Sequence, residues 1–355
     1  MKSKFKATIS NFNCTQRKND QIYPMISFFD DIIWPALNDK TLFRETGSNK
    51  SRKTKFHISD IKLIQIKTND NINPYVLVGK HIKRTILDIM PDYDIDKGFI
   101  GNKNSLPSAP YSTFILFLHN HKLIYFPNHS GAPNIKAFSA TINHIIVNYI
   151  LKIRKEVKEK LIVQYNKSKK IYLLDDIKFD TFNDFRKYYL DINYPFPEIN
   201  VVPIESQELV DEAFSKLVSI KNVTFKFYRP NNEPLNFDNL FESIYDSLEK
   251  TESSSVSSKF LNPQNIDAVH SGISSSQGKV DYVINGKGEN NEQLKIEPSK
   301  VSPELPIEID EKESIEKIST DAYNQLKDNK CLTEISKNNK EDYEKYKNNI
   351  SNLLK

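Results

Sequence analysis

Glycine is scarce, with 9 in 355 residues, and that shortage argues against folds whose glycine-rich loops cradle phosphates. Cysteine is scarcer still. Cys14 and Cys331 alone cannot build a disulfide framework or a cysteine-rich zinc site. No uninterrupted apolar run approaches the roughly 20 residues of a spanning helix, so membrane insertion is not expected. The opening MKSKFKATIS is basic but lacks the apolar core of a secretory signal, and the expected location is the cytoplasm. No nucleophile elbow, phosphate loop or Cys/His nucleophile arrangement occurs, so neither a catalytic residue nor a cofactor is expected. No repeat of fixed period is present.

Acidic residues are also missing where they would matter. None lies between Lys97 and Lys155, so nothing nearby in sequence neutralises the cations there. Residues 1–200 carry 31 Lys/Arg against 19 Asp/Glu, a net of +12, and residues 201–355 carry 19 against 27, a net of −8. A positive half attracts nucleic acid or another anionic surface. Two halves of opposite sign could equally dock on each other or on a second copy. The cations cluster at Lys50-Ser-Arg52-Lys53-Thr-Lys55, at Lys80-His-Ile-Lys83-Arg84 and at Lys152-Ile-Arg154-Lys155. Arg52, Lys53, Lys55, Lys80, Lys83, Arg84, Lys152, Arg154 and Lys155 are therefore the candidate nucleic-acid contacts, of the phosphate-binding kind that carries no sequence information.

Apolar spacing gives the elements. Lys4–Ile9 reads as a strand followed by a polar, basic loop through Asp20. Pro24–Leu37 carries Ile26, Phe29, Ile33 and Leu37 at helical spacing. Phe56–Ile66 and Tyr75–Ile86 read as strands. Thr113–Leu118 and Leu123–Phe126 form a hairpin around the polar turn His119-Asn-His121-Lys122. Asn134 is placed to cap a helix through Ile135, Phe138, Ile142, Ile145 and Tyr149, continued by Ile153, Val157 and Leu161. In the acidic half, Ile199–Ile204 and Val223–Tyr228 read as strands, and Ser206–Leu217 and Phe237–Leu248 as helices. Thr251–Ser258 reads as a serine-rich break, and Val280–Ile284 with Gln293–Ile296 as a hairpin around Asn285-Gly286. The Lys/Asn/Glu-rich end reads as a loose helix or a disordered tail.

The expected fold is α+β, with mixed or antiparallel sheets, a long central helix and a second, smaller α+β module. Its divisions are a basic β-rich domain over 1–130, helix and connector over 131–190, an acidic module over 191–300 and a tail over 301–355.

Two patterns bear on chemistry. His119, His121, His129 and His144 fall within one 26-residue stretch, and an H-x-H pair is how many metal sites begin. With no carboxylate nearby in sequence, no metal is expected there. Asp60-Ile-Lys62 and Asp176-Ile-Lys178 match the acid-x-Lys half of a magnesium-dependent nuclease pattern, with Glu45 the nearest partner acid for the first.

Phe5-Lys-Ala7-Thr8, a basic loop and a helix through Ile22, Phe29 and Leu37 open the chain. Ser112-Thr-Phe114-Ile-Leu-Phe117, a turn, Leu123-Ile-Tyr-Phe126, then Gly131-Ala-Pro133 and Phe138 follow. This order resembles the phage exclusion proteins of the lambda RexA type over residues 1–150. The resemblance implies a dimeric, sequence-tolerant DNA-binding protein of phage exclusion and abortive infection, with no known active site. The matching positions are structural, so no contact residue carries over, and the longer acidic C-terminal part departs from the pattern. The function expected is a non-enzymatic, nucleic-acid-binding component of antiphage defence, dimeric through the stretch of the long helix from Tyr149 to Leu161, which includes Ile153 and Val157, and acting with a partner protein encoded nearby. The alternatives are a metal-dependent nuclease and a module whose acidic half recognises a basic protein.

Overall fold

A computed structural model describes residues 2–18, 21–47, 53–68, 72–89, 92–96, 98–100, 104–168, 177–228, 239–251, 253, 255–276, 279–310, 314–328 and 337–354. The chain opens with β1 (Lys2–Lys18) and β2 (Gln21–Pro24). Tight 3-10 and π-type turns over residues 25–33 run into α1 (Trp34–Asn38). The apolar spacing there is helical, but Pro35 has no N–H to give, so regular α-helical bonding cannot run through it. Next come β3 (Arg44–Thr46), β4 (Thr54–Gln65) and β5 (Tyr75–Ile89). The short β6 (Asp92–Asp94), β7 (Gly98–Ile100) and β8 (Asn104–Ser108) follow. The expected hairpin is β9 (Tyr111–Phe117) with β10 (Lys122–Pro127).

The long helix α2 spans Ile135–Ser168. Asn134 caps it as expected, its Oδ1 accepting from the Ala137 N–H at 2.9 Å. Then come α3 (Phe182–Asn193), β11 (Glu198–Pro203), α4 (Gln207–Ser215), β12 (Ser219–Tyr228) and α5 (Asn239–Lys250). They are followed by β13 (Ser255–Leu261), α6 (Ile266–Ser276), β14 (Val280–Lys287), β15 (Gln293–Ile296) and α7 (Pro298–Val301). The chain ends with β16 (Glu304–Asp310), α8 (Ile315–Asp328) and α9 (Lys337–Asn352). The fold is α+β.

The first sheet is antiparallel and runs β11-β1-β10-β9-β5-β4-β3, with β16 and β2 also on β1 and β8 on β5. Both of its faces are covered, which the alternation of side chains along each strand makes legible. Phe12, Cys14, Leu77, Phe114, Leu116, Leu123 and Tyr125 face α2, α1 and α9. Ala7, Ile9, Val76, Val78, Ile115, Phe117, Ile124 and Phe126 face α8. Residues 11–18, expected as loop, continue β1, because Asn and Thr there find ladder partners in β11 and β2. The strand at 198–203, expected to open the acidic module, pairs antiparallel with β1 in the first sheet.

A second sheet, β13-β12-β14-β15, lies with α4–α7 around its own core of Val210, Phe225, Phe227, Phe241, Tyr282 and Ile284. Its elements fall between β11 and β16, the two segments that return to β1. The serine-rich stretch expected as a break is largely β13. Gly286, expected at a turn, lies in the β14 ladder. A Cβ on it would sit 2.6 Å from the Ser219 carbonyl oxygen, where the β12 register shifts.

The turn after β9 is polar, as expected, yet His119, Asn120, His121 and Lys122 are all buried. The C-terminal helices bury it. The His119 ring lies against Tyr323 of α8 and Tyr343 of α9, and the Tyr343 hydroxyl accepts from the Tyr75 N–H at 2.9 Å. The expected tail thus holds α9, which anchors in the first core through Tyr343 and the fully buried Ile350. Ile350→Ala should cost about 2–5 kcal/mol, read as a lowered urea midpoint. A change below about 0.5 kcal/mol, the ordinary surface value, would return α9 to the status of a tail.

Candidate nucleic-acid interface

Strand register brings two of the three cation clusters together. In the β4–β5 ladder, Lys55 stands opposite Arg84, Phe56 opposite Lys83 and Ser59 opposite Lys80. Lys53 precedes β4 on the same edge, and Arg52 lies outside the described residues. The third cluster sits on the second half of α2, tied to other elements.

Acids from distant parts of the sequence answer several of these cations. Glu45 pairs with Lys53, and with Lys55 at 3.7 Å. Asp60 pairs with Lys80 at 2.7 Å, and that bond raises the Lys80 ammonium above its ordinary range. Asp39 pairs with Lys152 at 3.0 Å, and Asp191 with Arg154. Bonds from Thr41 first and Lys152 second hold Asp39 down at about 2. Lys136, in the middle of the acid-free stretch, pairs with Glu297 at 2.9 Å. The stretch between Lys97 and Lys155 is acid-free in sequence but not in space.

Lys83, Arg84 and Lys155 have no ion pair among the described residues. The Lys83 ammonium donates to the Gly131 carbonyl at 3.5 Å, and Arg84 is exposed. Around them Lys55 lies over the Phe43 ring at 4.8 Å, and Arg44 over Phe56 at 4.4 Å. Arg44 also donates its Nε–H to the Thr141 hydroxyl at 3.1 Å, tying β3 to α2. The field of this patch reaches His57. Burial first, then Arg84 and Lys55, hold its imidazole below the ordinary histidine range. Lys53, Lys55 and Arg84 share one face of the β4–β5 ladder with the single carboxylate of Glu45, and Lys83, paired opposite Phe56, leaves from the other face.

It is also the root of a projection. Beyond Arg84, β5 leaves the sheet and pairs with β8, Ile86 opposite Pro107 and Leu87 opposite Leu106. Ile86, Leu87 and Leu106 are each about half exposed. The sequence pattern missed this ribbon because Pro107 and Pro110 read as loop.

The histidines do not converge. His119 and His121 are buried and His144 is exposed on α2, while His129 sits at 4.8 Å, edge to face, from Tyr111. No cluster of three metal-ligating side chains occurs among the described residues. Asp60 is taken by Lys80 and Glu45 by Lys53 and Lys55, so the nuclease pattern does not assemble. Asp176 lies outside the described residues.

His81 joins the list of buried histidines. Its Nδ1 is 3.0 Å from the Tyr125 hydroxyl and its Nε2 is 3.2 Å from the Thr141 hydroxyl. Burial presses it to about 3 and His121 to about 4. No family model matches the chain, and no curated protein matches it significantly.

Both imidazoles are neutral when folded and take up a proton near pH 6.5 when unfolded. The unfolded chain therefore binds more protons below that pH, and stability is complete at neutral pH and falls as pH drops. Between pH 7 and 5 each histidine should contribute a loss of about 2 kcal/mol, seen in urea midpoints. His121→Asn, which tolerates the positive φ of 55° there, should remove about half of that slope; an unaltered slope would discount the burial argument.

Proposed function

We propose that the protein binds nucleic acid without sequence preference, through phosphate contacts along the β4–β5 edge. The observation that carries this is the register setting Lys55 opposite Arg84, with Lys53 two residues earlier on the same face, against the one carboxylate of Glu45. Exposed ion pairs are worth about 0–1 kcal/mol, so phosphates can compete with Glu45 for its lysines. Lys152 and Arg154, paired with Asp39 and Asp191, lie on α2 outside this ladder.

The role in phage exclusion, without enzymatic activity, rests on the resemblance to the RexA type. A dimer and a nearby-encoded partner belong to the same proposal. The α2 seam offers less to a second copy than its spacing promised, since Ile153 packs against the first core. Leu151 and Val163 are its exposed apolar residues. Among the described residues no helix is long and apolar enough to cross a membrane.

The half-exposed Ile86, Leu87 and Leu106 favour a second reading, a protein-interaction module, because contiguous exposed apolar groups mark partner surfaces. Salt separates the two. For duplex DNA followed by fluorescence anisotropy, Lys83→Glu with Arg84→Glu should flatten the log–log salt slope by about 1.8. The pair Lys152→Glu and Lys155→Glu should change it by less. An unchanged slope in the first variant ends the nucleic-acid reading.

A further inference from the structure

The face of the first sheet opposite α2 is only partly covered by α8. Ala322, Tyr323 and Leu326 pack onto it. At the helix's beginning Ile315, Ile318 and Ser319 instead border a groove of about 810 Å³, within the usual range of small-molecule sites. Its floor is built by alternate residues of four strands, Phe5, Val78, Ile115 and Phe126. The sequence puts carbon there and almost nothing else.

One edge of the groove is made by a β-bulge. The β4–β5 register shifts between Ser59 and Lys62, and Asp60 takes a positive φ of 52°. The bulge turns Ile61 to the opposite face. A Cβ on Gly79 would lie 2.5 Å from Ile61 Cδ1 and 2.6 Å from Phe114 Cζ, so glycine is what lets Ile61 settle there. Asp60 and Lys62 are left at the groove's rim. Bulges recur where a strand must re-aim a side chain.

The rim is polar, and most of it is already satisfied. Asp60 holds Lys80, whose ammonium also lies 5.0 Å from the Tyr111 ring centroid. Asn128 Oδ1 accepts from the Thr113 hydroxyl at 2.8 Å. Two groups are not satisfied. Lys62 is exposed and has no ion pair among the described residues; its charge reaches Glu316, whose carboxylate is held by its own backbone amide and by Ser314. Ser319, one helical step beyond Glu316, is fully buried, and its hydroxyl has no hydrogen-bond partner. Helical serines commonly bond back to the carbonyl four residues before, as Thr320 does to Glu316 at 2.8 Å. Ser319 does not.

We infer that this groove binds a single-chain carboxylate amphiphile. The carboxylate accepts from the Ser319 hydroxyl and pairs with Lys62, and the hydrocarbon lies along Phe5, Ile115 and Phe126. Burying hydrocarbon there is favourable in proportion to its area. A nucleobase fits this chemistry poorly, because its polar edge would be buried against carbon with Ser319 alone to meet it. The site lies on the groove face of the sheet and does not depend on the β4–β5 nucleic-acid edge.

Dodecanoate, titrated below its micelle concentration into the full-length protein and followed by calorimetry and native mass spectrometry, should bind saturably at one per chain. Dodecanol, with the same tail and no charge, should bind at least fivefold more weakly, and adenosine monophosphate should not compete. Ser319→Ala and Lys62→Glu should each weaken dodecanoate about five- to tenfold, and Ile318→Trp should abolish binding by filling the groove. Lys62 is exposed, so its variant tests the head-group contact with the melting temperature unchanged. Absence of saturable binding, equal affinity for dodecanol, equal affinity in both head-group variants, or displacement by adenosine monophosphate would each overturn the assignment.

Discussion

The ladder along β1 is the constraint on which the first sheet rests. Its residues pair with β10 at Thr8–Asn11, with β11 at Ser10–Thr15, with β16 at Lys2–Thr8 and with β2 at Thr15–Lys18. Because Ser10 and Asn11 are shared, β10 and β11 flank opposite edges of the strand. The strand also buries both faces, giving Phe12 and Cys14 to one core and Ala7 and Ile9 to the other. Everything that covers those faces, α2 and α9 on one side and α8 on the other, is placed by the sheet this strand organises. The second module, carried between β11 and β16, hangs from two segments that both return to it.

Electrostatics follow from the same geometry. Folding brings Asp39, Asp60, Asp191 and Glu297 to Lys152, Lys80, Arg154 and Lys136. Glu297, held by Lys295 first and Lys136 second, is pulled down to about 2, so the link between α2 and the second module is charged across the ordinary pH range. Of these four pairs, Lys136–Glu297 crosses between the basic and acidic halves and the other three lie within the basic half. Among the candidate cations, the cross-strand pair at the root of the ribbon is Arg84 opposite Lys55.

Much of the architecture was legible from spacing alone. The cap at Asn134, the core face of α2 through Ile150, the β9–β10 hairpin and the strands β4, β5 and β12 all follow from apolar periodicity and turn residues. Three features were not legible, each for a physical reason. Asn11, Asn13 and Thr15 look like loop because the strand they pair with, β11, lies nearly two hundred residues away, and the Asn11 side chain is met by Lys122 of β10. His119–Lys122 looks exposed because the tyrosines that seal it come from helices near the end of the chain. The bulge at Ser59–Lys62 leaves no composition signal, since its cause is the fit of Ile61 over Gly79 and Phe114. Of the candidate interface, the cations were readable in sequence; which of them meet, and which are already answered by a carboxylate, depends on register and was not. The groove beside α8 had only the Asp60-Ile-Lys62 triplet to announce it, and that pattern pointed to different chemistry.

The order in which β1 meets its partners has a consequence for biosynthesis. β16, its partner along Lys2–Thr8, is made some three hundred residues after it. At about 5–20 residues per second, that is a wait of roughly 15–60 s. For that interval the nascent strand carries an unpaired row of backbone amides and carbonyls, the kind of edge that recruits other chains. Lysines at positions 2, 4 and 6 put like charges along that open stretch, and lysine on an edge disfavours strand-to-strand pairing between chains.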